Sequence, residues 1–290
     1  MNILILCRAD HSGAGYALMQ AINWCTEHKA RAVSYKQTWL EYAYDILAPS
    51  QMQLAELGRW ADVINAHSDG REFLDHSPAL FNKPTVVTYH GSYYRKRWEQ
   101  LNKQDKQHGY KQTCVPLTLA PYGPKWIGRA IPDLSSMHKP SSEFTVHHCA
   151  THPQRKGTQH IKQALTGIPL QVVTRTPNTK CLELRSKCHV VVERYKDTIG
   201  TIGTTAIESM SMGLPVISWA DEQGIKLITD TIGYVPFINA GSAIELREAV
   251  CRLRDDRDYY LERQEIGFRY VREWHAPKVI AEKFIEYINE

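Results

Sequence analysis

The chain has 290 residues, of which 43% are hydrophobic and 23% charged. That is an ordinary globular composition with enough apolar residues for one large core or two smaller ones, and it excludes a disordered chain. The formal net charge is +4, and residues 91–111 account for it: Arg95, Lys96, Arg97, Lys103, Lys106 and Lys111 against Glu99 and Asp105.

The opening MNILILC is apolar only as far as Arg8 and Asp10, too short for a secretory signal, and it reads as a first buried strand. Residues 14–28 follow with Tyr16, Met19, Ala21, Ile22 and Cys25 at helical spacing. Residues 62–66 (DVINA) and 84–89 (PTVVTY) are the next strands, the latter rich in β-branched residues. Short strands are expected at 113–119 and 124–127. The polar stretch SSMHKPSS at 135–142 reads as a linker. Strands are then expected at 144–149, 170–173, 189–192, 215–219 and 233–237. Helices are expected at 157–165, 179–187 and 204–212, with a helical tail from Ala243 broken near Ala276-Pro277.

Strand–helix alternation in both halves predicts an α/β chain of two Rossmann-like parallel-sheet domains facing a cleft. The expected domains are 1–138 and 139–274, with a last helix at about 275–290 packing back on the first. Ligands of such sheets sit beyond the carboxyl ends of the strands, so the turns after strands carry the candidates. No apolar run is long enough to span a membrane. Seven cysteines, an odd number without a C-x-x-C pair, argue against a disulfide framework or a zinc motif and favour a reducing cytoplasm.

After the first strand, Gly13 and Gly15 let backbone approach a ligand at a helix N-terminus; a tight turn for packing is the alternative. The dinucleotide pattern fails there: Leu18 takes the third glycine's place and no acid ends the second strand, which disfavours an NAD enzyme. His90 follows the strand PTVVTY, where it could hydrogen-bond a hydroxyl or shuttle a proton; a capping or core role is the alternative. Arg155 and Lys156 precede a Gly157-Thr158 helix start, and two cations beside orphan amides suit a diphosphate. His147 and His148 lie on opposite faces of a strand, so no metal site is read there. Gly203, Thr204 and Thr205 open a further helix without the Gly-Lys-Ser/Thr of a Walker loop; their amides and hydroxyls could hold phosphate. Glu208 could accept two hydrogen bonds from a vicinal diol such as a ribose, or be a capping-box acid.

Together these turns resemble one family. Residues 203–217, GTTAIESMSMGLPVI, are similar to the donor-site signature of GT-B glycosyltransferases of the group-1 (family-4-like) type. Arg155-Lys156-Gly157-Thr158, DVINAH at 62–67, PTVVTYHG at 84–91 and YVREWHAPKVIA at 270–281 resemble further parts of the family. The resemblance implies a metal-independent, retaining transferase with no cofactor beyond a nucleotide-diphosphate sugar as co-substrate. In that reading Lys156 and Arg155 neutralise the diphosphate, Gly203–Thr205 hold phosphate, and Glu208 binds the ribose. Gly13 and Gly15 approach the reaction centre, and His90 lies beside the transferred sugar. The family pattern has a second glutamate, the one that touches the sugar, where this chain has Gly200.

The acceptor is expected to be a glycan, a glycolipid or a hydroxylated base of modified DNA, as in a phage-type DNA-modifying enzyme. For nucleic acid, Tyr93, Arg95, Lys96 and Arg97 are the candidate contacts, cations for phosphate beside rings for stacking. The plainer reading packs Tyr94, Trp98 and Leu101 on one helical face. An inactive nucleotide- or nucleic-acid-binding module of the same fold is the rival class. The sequence leaves oligomeric state open.

Overall fold

In the computed structural model, residues 1–76, 78–80, 82–195 and 202–290 are described. The chain divides into two compact units, Met1–Ala130 with His275–Glu290, and Ile131–Trp274.

The first unit runs β1 (Asn2–Ala9), α1 (Ala14–Cys25), β2 (Lys29–Lys36), β3 (Ile46–Leu47), α2 (Gln51–Trp60), β4 (Val63–His67), β5 (Thr85–Tyr89), α3 (Gly91–Arg95), α4 (Trp98–His108), β6 (Lys111–Cys114) and β7 (Lys125–Trp126). The strands form one sheet in the order β3-β2-β1-β4-β5-β6-β7, every described pair parallel. The period-2 pattern of β1 shows why the sheet is covered on both sides. Ile3, Ile5 and Cys7 enter one apolar cluster with Leu18 and Ile22 of α1, while Leu4 and Leu6 enter another with Val33, Leu54 and Ile64. The first cluster is completed by Ile280, Ala281 and Phe284 from the chain's last helix.

The second unit runs β8 (Val146–Cys149), α5 (Pro153–Lys156), α6 (Thr158–Ala164), β9 (Leu170–Val173), α7 (Asn178–Arg185), β10 (Val190–Val192), α8 (Thr204–Ser211), β11 (Val216–Ser218), α9 (Glu222–Ile232), β12 (Ile238–Asn239), α10 (Ala243–Asp255) and α11 (Arg257–Trp274); α12 (Pro277–Asn289) then returns to the first unit. Its strands are ordered β12-β11-β10-β8-β9, again parallel. Their short apolar runs, Val190-Val191-Val192 and Val216-Ile217, are fully buried, as strands covered on both faces must be.

The stretch 131–142 is fastened along the second unit. The Leu134 amide donates to Ser211 Oγ, Ser211 Oγ donates to the Pro132 carbonyl, and the amides of Lys139 and Ser141 donate to the Ser186 and Lys187 carbonyls. The strand expected at 233–237 instead forms at Ile238–Asn239, because Gly233, with φ of 89°, caps α9 in the left-handed conformation. The expected strand at 113–119 stops at Cys114 and passes into a 3₁₀ turn at Leu117–Tyr122. Among the described residues, no helix is long and apolar enough to cross a membrane.

Strand order places the chemistry. Each sheet reverses its winding beside its first strand, between β1 and β4 in the first unit and between β8 and β10 in the second. The crevice beyond the carboxyl ends of such a strand pair is where open α/β sheets bind ligands.

Candidate functional site

At the second unit's reversal point the turns after β8 and β10 meet on one buried carboxylate, Glu193. It directly follows the apolar run of β10 and is fully buried, its own amide still bonding the Ile217 carbonyl. Its Oε1 pairs with Lys156 Nζ at 2.7 Å and Arg194 Nη2 at 2.6 Å. Its Oε2 accepts from Ser218 Oγ at 3.2 Å and from the Gly203 amide at 3.4 Å. Burial alone would push this carboxyl up, but the Arg194 and Lys156 charges outweigh it and hold it at about 2. Burial lowers the Lys156 pKa, with Glu193 opposing the shift.

Gly203 is required here by space: a Cβ at that position would collide with Glu193 Oε1. It is the N-cap of α8 and brings no side chain to the helix end, so the first-turn amides of Thr204 and Thr205 keep no capping side chain. Two cations and a helix N-terminus therefore surround a position now satisfied by a protein carboxylate. That arrangement suits an anion with several oxygens.

Glu208 lies two residues beyond the capping-box position of α8, which is Ala206, so it is not a capping acid. It is buried, paired through Oε2 with Arg185 Nη1 at 3.0 Å, and Oε1 accepts from Asn178 Nδ2 at 3.3 Å. Arg185, 1% exposed, fixes the carboxylate in place. Arg155 sits beside Lys156 in the exposed half of the one-turn helix α5 and makes no described contact with Glu193. Gly200, the position of the departure from the family pattern, lies outside the described residues.

The first unit holds a second cluster. Asn65 Nδ2 donates to the Val86 carbonyl at 3.1 Å and to Thr88 Oγ1 at 2.7 Å, which turns its Oδ1 toward His67 Nε2 at 2.9 Å. His67 Nε2 is therefore the protonated nitrogen, and His67 Nδ1 accepts from His90 Nε2 at 3.0 Å. The chain of bonds leaves His90 with an unprotonated Nδ1. Burial lowers both imidazoles to about 3, with each other's proximity adding to the effect at His90, so both are neutral at ordinary pH. His90 thus presents a hydrogen-bond acceptor. Arg129, almost fully buried against the Tyr42 ring, lies within its electrostatic reach.

In the loop at Gly13 and Gly15 the helix end already has a protein partner. Asp10 reaches into the N-terminus of α1, where its carboxylate accepts from the Ala14 and Tyr16 amides at 2.8 and 3.0 Å. A protein carboxylate thus occupies that helix end. Gly13, at φ of 67°, provides the left-handed turn and lies against Tyr42, and a Cβ on Gly15 would strike Cys7 Sγ. Packing accounts for both glycines.

Residues 91–111 also divide differently from the charge count. Tyr94 is fully buried and bonds Asn102 and the Tyr122 carbonyl; Leu101 is core; Asp105 is 1% exposed and pairs with Arg71, Tyr89 and Gln112. Lys111 Nζ caps the end of α12 through the Tyr287 and Ile288 carbonyls. Arg95 is half-buried and donates to Thr118 Oγ1, whereas Lys96 and Arg97 are exposed. The Tyr93 side chain lies outside the described residues.

His147 and His148 do face opposite sides. His148 bonds the Val192 carbonyl and Thr158 Oγ1, and is internal to the unit. His147, for which no metal role was expected, converges with Cys149 and Cys181. The sequence reading also passes over Glu193, Arg194 and Arg185. A charged pair directly after the buried run Val190–Val192 is a usable signal for the first two; nothing in the sequence marks Arg185.

No family model and no curated protein matches the sequence. Solved structures share the fold. Anabaena HepE (Alr3699), crystallised with UDP and glucose, superposes with a TM-score of 0.70 at 13% identity, covering 100% of this chain and 99% of that one. A glycosyltransferase from Rickettsia africae gives 0.68 at 11% identity over 99% and 97%. Sucrose-phosphate synthase from Thermosynechococcus elongatus gives 0.64 at 14% over 100% and 98%. The chain has the GT-B fold, two parallel-sheet α/β units.

Proposed function

We propose that the protein is a glycosyltransferase that moves a sugar from a nucleoside-diphosphate sugar to a hydroxyl acceptor. The observation that carries the reading is the convergence of Lys156, Arg194 and the Gly203 amide on one buried carboxylate at the β8/β10 reversal, one turn of α8 from the fixed acid Glu208. A diphosphate placed at that helix end competes with Glu193 for the same donors, and Glu208 offers its remaining lone pairs to a ribose diol.

Cleavage of the bond from sugar C1 to the phosphate oxygen sends the electron pair to the departing diphosphate, while the acceptor hydroxyl oxygen forms the new bond to C1 and gives up its proton to solvent or to the leaving phosphate. Lys156, Arg194 and the end of α8 stabilise that charge, so the reading requires no divalent ion at the diphosphate. The neutral His90 Nδ1 accepts a hydrogen bond from a sugar hydroxyl, the place the family resemblance gives it. Retention of the anomeric configuration also follows from the resemblance. A uridine nucleotide is the first donor to try, because HepE was crystallised with UDP and with UDP-glucose. For the acceptor we favour a glycan or glycolipid over DNA, since Tyr94 and Leu101 are core residues and Lys111 and Asp105 are engaged inside the unit.

A thermal-shift screen across nucleotide sugars, followed by mass spectrometry of candidate acceptors incubated with the best donor, tests the proposal. A donor that stabilises the protein and a product heavier by one sugar residue are expected. No stabilisation by any nucleoside diphosphate or its sugar would remove the proposal.

A further inference from the structure

We propose that His147, Cys149 and Cys181 form a binding site for one zinc ion, separate from the diphosphate position. His147 and Cys149 are two residues apart on β8 and so share a face of the sheet, and α7 carries Cys181 onto that face. Cys149 Sγ and Cys181 Sγ are 3.1 Å apart, Cys181 Sγ is 3.9 Å from His147 Nε2, and all three ligand atoms lie within 4.8 Å of one another. In a tetrahedral site with Zn–S of about 2.3 Å and Zn–N of about 2.0 Å, neighbouring ligand atoms stand roughly 3.5–3.8 Å apart. To reach those values the two sulfurs move apart by about 0.7 Å and Cys181 Sγ closes on His147 Nε2 by about 0.4 Å.

The surroundings point the same way. Gln171 Oε1 lies 2.9 Å from His147 Nδ1, and an amide oxygen only accepts, so the proton is on Nδ1 and the Nε2 lone pair faces the thiols. Arg185 Nη2 lies 3.5 Å from Cys181 Sγ, close enough to donate to a thiolate. His147 and Cys181 are buried and Cys149, the last residue of β8, is half-buried, and three protein ligands leave the fourth coordination position to water. The thiol pair could instead close as a disulfide, but a disulfide has no use for an imidazole whose Nε2 a third residue aims at Cys181 Sγ. Binding is balanced as Zn²⁺ displacing the thiol protons: the two sulfurs enter as thiolates, each thiol proton leaves to solvent, and nothing is oxidised.

The test uses the full-length protein, reduced, treated with chelator, then titrated with Co²⁺ as a coloured substitute and with Zn²⁺ in competition. The expected result is one Co²⁺ per chain, with thiolate charge-transfer absorption and visible bands of a tetrahedral S₂N site, both abolished by one equivalent of Zn²⁺. Cys149→Ser and Cys181→Ser should abolish these bands, and Gln171→Ala should weaken the affinity about 10–100-fold. Cys251→Ser, on α10 in the same unit, should change nothing. Circular dichroism confirms that each variant is folded, and His147→Gln supplies a replacement should a cysteine variant fail to fold. Absence of stoichiometric uptake, uptake that survives loss of Cys149, or a Cys149–Cys181 disulfide in the mass spectrum of the metal-exposed protein would each overturn the assignment. None of these readouts requires sugar transfer.

Discussion

Glu193→Gln removes the charge on which the diphosphate position is organised while preserving side-chain shape. In the protein as it stands, Lys156 Nζ and Glu193 Oε1 are 2.7 Å apart. At an effective dielectric of about 20 the attraction is about 6 kcal/mol, much of it offset by the desolvation of both groups. Deleting only the carboxylate leaves Lys156 and Arg194 facing each other, and it weakens the acceptor used by Ser218 Oγ and the Gly203 amide. Breaking such a buried pair costs about 3–5 kcal/mol. Lys156 keeps some exposure, which favours the lower end of that range. For a unit of this size the melting temperature should fall by roughly 10 °C. UDP returns negative charge to the same donors, so it should raise the melting temperature of the variant by more than it raises that of the unmodified protein. Differential scanning calorimetry with and without UDP reads both effects. An unchanged melting temperature, or an equal UDP shift in the two proteins, would refute the placement of the diphosphate against Lys156, Arg194 and Gly203.

Three further outcomes are expected. His67 and His90 have folded pKa values of about 3, below the unfolded value of about 6.5, so the unfolded chain takes up protons first on acidification. Their contribution to stability is complete above pH 6.5 and is lost as pH falls toward 3, at about 1.4 kcal/mol per pH unit for each histidine. Denaturant titrations between pH 7 and 5 should show that slope, and His67→Gln should flatten it by one histidine's share; an unaltered slope contradicts the neutral pair. Phe284→Ala empties a fully buried position between α12 and α1, and should cost about 3–5 kcal/mol in chemical denaturation, whereas a loss below 1 kcal/mol would mean that α12 is only loosely attached. Attraction to DNA through the exposed Lys96, Arg97, Lys103 and Lys106 should be weak, independent of base sequence and lost at moderate salt. Sequence-selective DNA binding lost on Arg97→Ala, measured by fluorescence anisotropy, would instead make DNA the acceptor.

The strands with strong apolar patterns were legible from the sequence alone. The alternation of Ile3, Leu4, Ile5 and Leu6 specifies a strand covered on both faces, and Val190–Val192 reads the same way. The helix carrying Glu208 was legible because Gly203 and the run from Gly213 to Ile217 frame it. Features made by strand order were not. Glu193 meets Lys156 because β10 lies beside β8, although 37 residues separate the pair, and Cys181 meets Cys149 because α7 brings it against β8. The protonation state of His90 depends on Asn65, one strand away and itself oriented by Thr88 and Val86. Counting charges along 91–111 misleads because a helix turns residues both ways: Asp105 points inward and Lys106 outward, and the two adjacent letters do not say which. At Gly13 and Gly15 the glycine pattern was read as room for a ligand, whereas Asp10, three residues before the first of them, already occupies the helix end.

Isothermal titration of UDP into the unmodified protein and into a Lys156→Ala, Glu208→Ala double variant tests the central claim most directly. We expect one site per chain in the former, and a loss of at least about 100-fold in affinity in the latter, since a charge-assisted contact to phosphate and the ribose-facing carboxylate are removed together. Equal affinity in the two proteins, or no binding of UDP or of any other nucleoside diphosphate to the unmodified one, would contradict it.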